Sequence, residues 1–333
     1  LKVYKMEGKM KVKVAFIGCG SIAGAHMNSL SKMENVEFVS FCDIVEEKAK
    51  QRAEQFGGNV YTDYKKMLDE VEMDACYICV PPFAHQGQEE LCIEKNIPFF
   101  VEKPIHLDLN KAKEISEKVK EKNLITSTGY QDRYQDIIAY IKPFFKEGNL
   151  GIFAGWWVGG MPGVYWWRRK KMSGGQIVEQ TTHIYDMARY LIGEPVEVFA
   201  VKRKGLMEEV ENYNVEDASA VEVYFENGVV GTIFSGCFMK AGGKIGLDFY
   251  FSDKFVEYFE REKVVINYGN KIKEIYEDTP QIIPKEDRAF IDAVKTKNSS
   301  SIKSTYEDAV KTLAFTLAAN KSIETGKVEK VEL

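Results

Sequence analysis

Val12-Lys13-Val14-Ala15-Phe16-Ile17-Gly18-Cys19-Gly20-Ser21-Ile22-Ala23 decides the fold. An apolar run of strand length ends in two glycines one residue apart, and a helical pattern, Ile22–Met33, opens directly behind them. Gly18 suits a tight turn, and Gly20 lets a phosphate approach the backbone. Ala23 is small enough for close helix–strand packing. Phosphates would rest at Ser21 and Ile22, where free N–H groups and the helix dipole favour negative charge. The next apolar run, Val36–Cys42, ends at Asp43. An acid at this place in the unit holds a ribose 2′-hydroxyl and repels a 2′-phosphate, which favours NAD over NADP.

Outward from this unit, strand and helix signals alternate through residue 127. A charged helical stretch, Val45–Phe56, stops at Gly57-Gly58, and a short strand follows at Val60-Tyr61. A small helix, Tyr64–Leu68, leads to the apolar run Ala75–Val80, which Pro81-Pro82 halts. Gln86–Glu94 is helical, Phe99–Val101 extended, Lys111–Lys120 helical and Leu124–Thr126 extended. Continuous apolar strands between helices predict a parallel sheet covered on both faces, the doubly wound α/β Rossmann arrangement. Glu102-Lys103-Pro104 follows the fifth strand. A lysine there lies in the crevice at the carboxyl ends of the strands, where such sheets bind ligands. Pro104 offers a cis peptide bond.

After residue 128 the period changes. Ser219, Val221, Val223 and Phe225 share one face of a strand, and Glu222, Tyr224 and Glu226 the other. Asn227-Gly228 predicts a two-residue hairpin turn into Val229–Met239, and Ile245, Leu247, Phe249 and Phe251 alternate again. Helices are expected at Lys285–Lys295 and Tyr306–Thr325. The chain therefore divides into a dinucleotide-binding domain, 11–127, and a substrate-binding and oligomerisation domain, 128–333. The second is α+β with a large, mainly antiparallel open sheet. A sheet apolar on both faces needs two covers, supplied by its own helices or by a partner subunit.

The composition fits an ordinary globular chain. Its 333 residues carry a net charge of −5, which argues against a nucleic-acid partner. No run approaches the roughly 20 apolar residues that span a bilayer. Residues 1–10 are too polar for a secretory signal and read as an extension, so a cytoplasmic location is the default expectation. Of the six cysteines, Cys76 and Cys79 have redox spacing but fall in one strand, where positions three apart face opposite ways. No Cys/His spacing suits a metal, so none is expected.

The second chemical signal is the stretch 173–186, from Ser173-Gly174-Gly175-Gln176 to His183-Ile184-Tyr185-Asp186. Ser173 and Gln176 have capping-box spacing, and Gly193 with Pro195 gives a stop, so one helix is expected. On it Glu179 and His183 share a face, with Asp186 near it. A histidine between two carboxylates can be oriented and its charged form stabilised, as a general base requires. A surface ion pair would use the same residues. Before it, Trp156-Trp157, Gly159-Gly160 and Trp166-Trp167-Arg168-Arg169 suggest a sugar pocket or aromatic core packing.

Together these residues resemble the Gfo/Idh/MocA family of oxidoreductases. The resemblance runs from Val12 to the last helix. It rests on Gly18-x-Gly20, Val80-Pro81-Pro82-Phe83-Ala84-His85, Glu102-Lys103-Pro104 and the Gly-Gly…His183-x-x-Asp186 stretch. It implies that Pro81, Pro82, His85, Glu102 and Lys103 join the cofactor site, and that Lys103 touches substrate hydroxyl and cofactor together. It implies that His183 is the acid/base, with Glu179 where the family often has Asp. Tyr130, Arg133, Trp167 and Arg168 become candidate substrate contacts. His26 and His85 read as local structure, and His106 has no pattern of its own. The implied activity is hydride transfer between a secondary alcohol of a sugar, cyclitol or related polyol and NAD, in a homodimer or homotetramer. Two alternatives remain open: an NADP-dependent reductase of a keto sugar or dicarbonyl, and a non-catalytic dinucleotide-binding sensor.

Overall fold

The computed structural model describes residues 11–277 and 282–332, and the expected extension at 1–10 lies outside them. The first half runs β1 (Val12–Ile17), α1 (Ser21–Leu30), β2 (Val36–Cys42), α2 (Glu46–Phe56), β3 (Asn59–Tyr61), α3 (Tyr64–Glu70), β4 (Ala75–Ile78), α4 (Gln88–Glu94), β5 (Phe99–Val101), α5 (Leu109–Glu121) and β6 (Thr126–Thr128). The six strands are parallel in the order β3-β2-β1-β4-β5-β6, the doubly wound order the glycine turn predicts. β6 starts two residues later than expected. Asn123 turns left-handed behind α5, and the Leu124 amide donates back to Val119 O (3.0 Å), so both residues close the helix.

The second half runs α6 (Asp136–Ile141), β7 (Leu150–Val158), α7 (Lys170–Ser173), α8 (Gln176–Glu179), α9 (Thr182–Ile192), β8 (Pro195–Arg203), β9 (Ala218–Phe225), β10 (Val230–Gly236), β11 (Lys244–Phe251), β12 (Phe255–Phe259), β13 (Lys263–Asn267), β14 (Ile272–Tyr276), α10 (Ile283–Thr296), α11 (Tyr306–Thr325) and β15 (Glu329–Lys330). Its nine-stranded sheet has the order β14-β13-β12-β11-β7-β10-β9-β8-β15 and is antiparallel except where β10 pairs with β7. The β9–β10 hairpin forms, but its loop has three residues, 226–228. Phe225 N donates to Val229 O, and Gly228 alone takes positive φ (87°). This turn with a left-handed glycine at its end replaces the expected two-residue one.

Packing explains why both halves hold together. Val12, Val14 and Phe16 point to one side of the first sheet and pack with Tyr77, Phe100, Phe290 and Ile291. Ala15 and Ile17 point to the other, where Tyr306, Ala309, Val310 and Leu313 complete the core. The covers that finish the nucleotide-type sheet thus come from α10 and α11, at the far end of the chain. Burying a side chain such as Phe290 stabilises by about 1.5–3 kcal/mol. The inner face of the nine-stranded sheet packs under α9 and α11 through Phe153, Ile184, Ala188, Val223, Ile233, Leu247 and Phe315. Gly155 is needed there, because a Cβ would sit 2.8 Å from Ile184 Cγ2. The outer face leaves Ile152, Val201, Tyr224, Val230 and Tyr250 exposed.

Candidate active site

The crevice opens at the carboxyl ends of β1, β2, β4 and β5. Gly18 (φ 91°) makes the turn, and any Cβ there would lie 2.3 Å from Cys79 O. The Cβ position of Gly20 meets nothing within 4 Å, so open space lies before the N-terminus of α1. No side chain caps that terminus and no acid occupies its first turn, which leaves its N–H groups to an anion. Asp43 accepts from Cys19 N (2.9 Å) through Oδ2 and from Val45 N (2.9 Å) through Oδ1. Its carboxylate is thereby locked beside the turn. Ser21 is exposed and Ile22 half-buried at the mouth. These residues fit a dinucleotide with a free 2′-hydroxyl.

The other expected cofactor residues divide. Pro81 is half-buried and Pro82 starts a short 3-10 turn to Ala84. His85 is buried, and its Nδ1 bonds tightly to Glu89. Glu102 turns inward: Oε1 bonds His26 Nε2 (3.1 Å), and Oε2 accepts from the Lys103 amide (3.1 Å). His26 Nδ1 bonds Asp287 Oδ1 (2.7 Å). Burial opposes charge on His26, but Asp287 and Glu102 overcome it and hold its pKa well above the ordinary value. Glu102 therefore braces the strand end from behind rather than facing the cleft. Lys103–Pro104 is a cis peptide.

Lys103 reaches across to the second half. Its Nζ donates to Glu179 O (2.8 Å) and Glu179 Oε1 (3.1 Å). The buried Trp167 indole donates to Glu179 Oε2 (2.7 Å). Lys103, Glu179 and Trp167 thus form one chain of hydrogen bonds between the halves.

The single helix expected over 176–192 is broken. Ser173 ends α7 instead of capping a helix, and its hydroxyl accepts from Gly175 N (3.0 Å). Gly174 and Gly175 both have positive φ, α8 lasts one turn, and α9 starts only at Thr182. The break dissolves the expected His183 flank. Glu179 goes to Lys103, and Asp186 goes to Arg133 Nε (2.7 Å), Arg133 Nη2 (2.6 Å) and Thr312 Oγ1 (2.8 Å).

His183 is buried, stacked on Trp157 (5.6 Å between centroids, 21°) and met edge-on by Tyr130 (6.2 Å, 81°). Burial, then Lys103 and Arg261, push its pKa well below the ordinary value. Its charged form is therefore disfavoured, opposite to the expectation, and the neutral imidazole stands ready to accept a proton.

Two candidate substrate contacts are otherwise occupied. Arg133 is buried and bound to Asp186, Asp308 and Lys303 O, so its guanidinium ties helices together. The Tyr130 hydroxyl pairs with Thr182 Oγ1 (3.0 Å), fixing the start of α9. Trp167 acts through Glu179, and Arg168 is half-buried with its guanidinium 6.0 Å from the Tyr165 ring centroid. Sequence reasoning missed Asp132 and Arg261, and it did not link Trp157 to His183. Trp157 stood inside a flagged aromatic run, but Asp132 and Arg261 lie in no local pattern.

With the site assembled, two family patterns match the chain. One is described as "Oxidoreductase family, NAD-binding Rossmann fold" and covers residues 12–130. The other is the GFO/IDH/MocA C-terminal domain, over residues 149–255. The chain is similar to myo-inositol 2-dehydrogenase of Thermotoga maritima, 25% identical over 67% of each chain. It is also similar to scyllo-inositol 2-dehydrogenase (NAD(+)) of Bacillus subtilis, 28% identical over 67% of this chain and 66% of that one. These alignments thus span about two thirds of the relatives' own length. Among solved structures, levoglucosan dehydrogenase in complex with NADH shares the fold, with a TM-score of 0.87 over 97% of this chain and all of that one, at 18% identity. The glycine turn, the matched patterns and the two-sheet architecture agree: the chain belongs to the Gfo/Idh/MocA family of oxidoreductases, with an NAD-binding Rossmann fold in its first half.

Proposed function

We propose that this oxidoreductase oxidises a secondary alcohol of a sugar, cyclitol or related polyol to a ketone, reversibly and with NAD. The observation that carries the reading is the ion pair of Lys103 with Glu179, four residues before His183. Lys103 offers an ammonium held by Glu179, while His183 is kept neutral by burial and by that same cation. NAD, when bound, accepts the hydride. Lys103 donates a hydrogen bond to the substrate oxygen and stabilises its growing negative charge. His183 accepts the hydroxyl proton. The names of the relatives, two inositol dehydrogenases and a levoglucosan dehydrogenase, support the substrate class. The fixed Asp43 carboxylate supports NAD over NADP.

The test is a polyol and sugar panel followed by NADH absorbance, with Lys103→Ala and His183→Ala beside the parent chain. General acid–base and oxyanion-type groups each contribute on the order of 100- to 1,000-fold, so each variant should lose kcat by about that factor. NADH binding, read by fluorescence, should persist in both. Turnover by Lys103→Ala at the parent rate would remove Lys103 from the chemistry.

A further inference from the structure

His183 needs a carboxylate partner that Glu179 does not supply. Its Nδ1 is buried without a hydrogen bond, and Glu179 spends both oxygens on Lys103 and Trp167. The nearest acid comes from elsewhere. Asp132, in the 3-10 turn behind β6, places Oδ2 3.5 Å from His183 Nδ1, and both side chains are at most 6% exposed. Asp132 is itself held. Arg261, at the turn between β12 and β13, donates from Nε to Oδ1 (2.7 Å) and from Nη2 to Oδ2 (3.4 Å). Gln135 Nε2 adds a third donor to Oδ1 (3.4 Å).

We propose that Asp132, clamped by Arg261, is the positioning residue that sets the ring orientation and tautomer of His183. This rests on the reading of His183 as the acid/base. Trp157 and Tyr130 fix the plane of the ring, but neither distinguishes its two nitrogens. A carboxylate facing Nδ1 does: it makes Nδ1 carry the hydrogen and leaves the Nε2 lone pair toward the cleft. The 3.5 Å separation is longer than a formed hydrogen bond, and substrate binding is expected to shorten it. Arg261 has a second effect. Its charge offsets that of Asp132, so the imidazole is oriented without becoming a strong base. Glu260, beside Arg261, follows the same electrostatics: burial and then Asp132 push its carboxyl up to about 7.

The chemistry is thus divided between two acids. Glu179 serves Lys103, and Asp132 serves His183. They arrive from different segments, Asp132 from the end of the first sheet and its clamp from a hairpin of the second.

The decisive measurement needs no substrate. Nitrogen-15 spectra of the histidine rings at pH 7.5, assigned with His183→Asn, should show His183 as the Nδ1–H tautomer. Asp132→Asn should shift it to a mixture, and Glu179→Gln should leave it unchanged. An Nε2–H tautomer in the parent protein overturns the proposal, whether or not any variant folds. On a substrate found by the panel, Asp132→Asn should lower kcat about 100-fold or more, with KM and NADH affinity within about threefold. A folded Asp132→Asn with parental kcat and an unchanged pH profile also overturns it, because a merely structural acid would lower Tm alone. If His183→Asn itself turns over normally, the acid/base reading fails instead, and the tautomer result still stands or falls separately.

Discussion

At the scale of the residue, the environment of His183 sets a pH signature. Its folded pKa is depressed by burial and by Lys103 and Arg261, below the ordinary 6.5. The base form is therefore fully present at neutral pH, and the acid limb of kcat/KM should lie well below pH 6.5. His183→Ala should erase that limb, and an unchanged profile would exclude His183. Stability follows the same sign. As pH falls below 6.5, the unfolded chain binds a proton that native His183 refuses, so His183 makes folding less favourable in acid. Urea titrations at pH 7 and pH 5 on the parent and His183→Ala would isolate this contribution. Lys103 and Asp43 were legible as candidates because each follows an apolar strand run, and His183 through the motif that carries the family resemblance rather than through the helix expected around it. The partners of Glu179, Asp186 and Arg133 were not. A side chain chooses among partners only once distant segments meet, and Asp308 lies 175 positions beyond Arg133.

At the scale of the element, α9 is a carrier whose height above the nine-stranded sheet decides where His183 sits. Gly155 in β7 sets that height. Its Cβ position lies 2.8 Å from Ile184 Cγ2 and 3.0 Å from Leu247 Cδ2. Gly155→Val should lift α9, costing about 1–3 kcal/mol of stability by overpacking. It should also lower kcat more than it lowers NADH affinity, read by denaturant unfolding and fluorescence titration. Nearly every strand and helix of the first half was legible from apolar runs and breakers. The 173–193 stretch misled because Ser173 and Gln176 have capping-box spacing, while Gly174 and Gly175 prefer the left-handed turn they adopt. Two signals conflicted, and the backbone preference of the glycine pair won.

At the scale of the whole molecule, the outer face of the nine-stranded sheet remains to be covered. Ile152, Tyr224, Val230 and Tyr250 stand on neighbouring strands and are each more than two fifths exposed. We propose that a second copy of the chain lies against them. Sedimentation should give a dimer or tetramer, and Tyr224→Asp with Ile152→Asp should weaken it. A monomeric parent protein would leave that face without a partner copy. We propose that the division at residue 128 separates a dinucleotide-binding part from a substrate-binding part that do not fold independently. A fragment of residues 11–127 would expose the seats of Phe290, Ile291, Tyr306 and Leu313. It should lack the cooperative thermal transition expected of the full chain.

The return of α10 and α11 to the first sheet also bears on the order of synthesis. The ribosome delivers the six parallel strands and α1 to α5 first, yet the part of each face's cover that comes from α10 and α11 emerges about 150 residues later. Domains made early usually fold early. Here the seats of Phe290, Ile291, Tyr306 and Leu313 on the nucleotide-binding half stay unfilled until α10 and α11 have been made, so its final packing should follow translation of the second sheet.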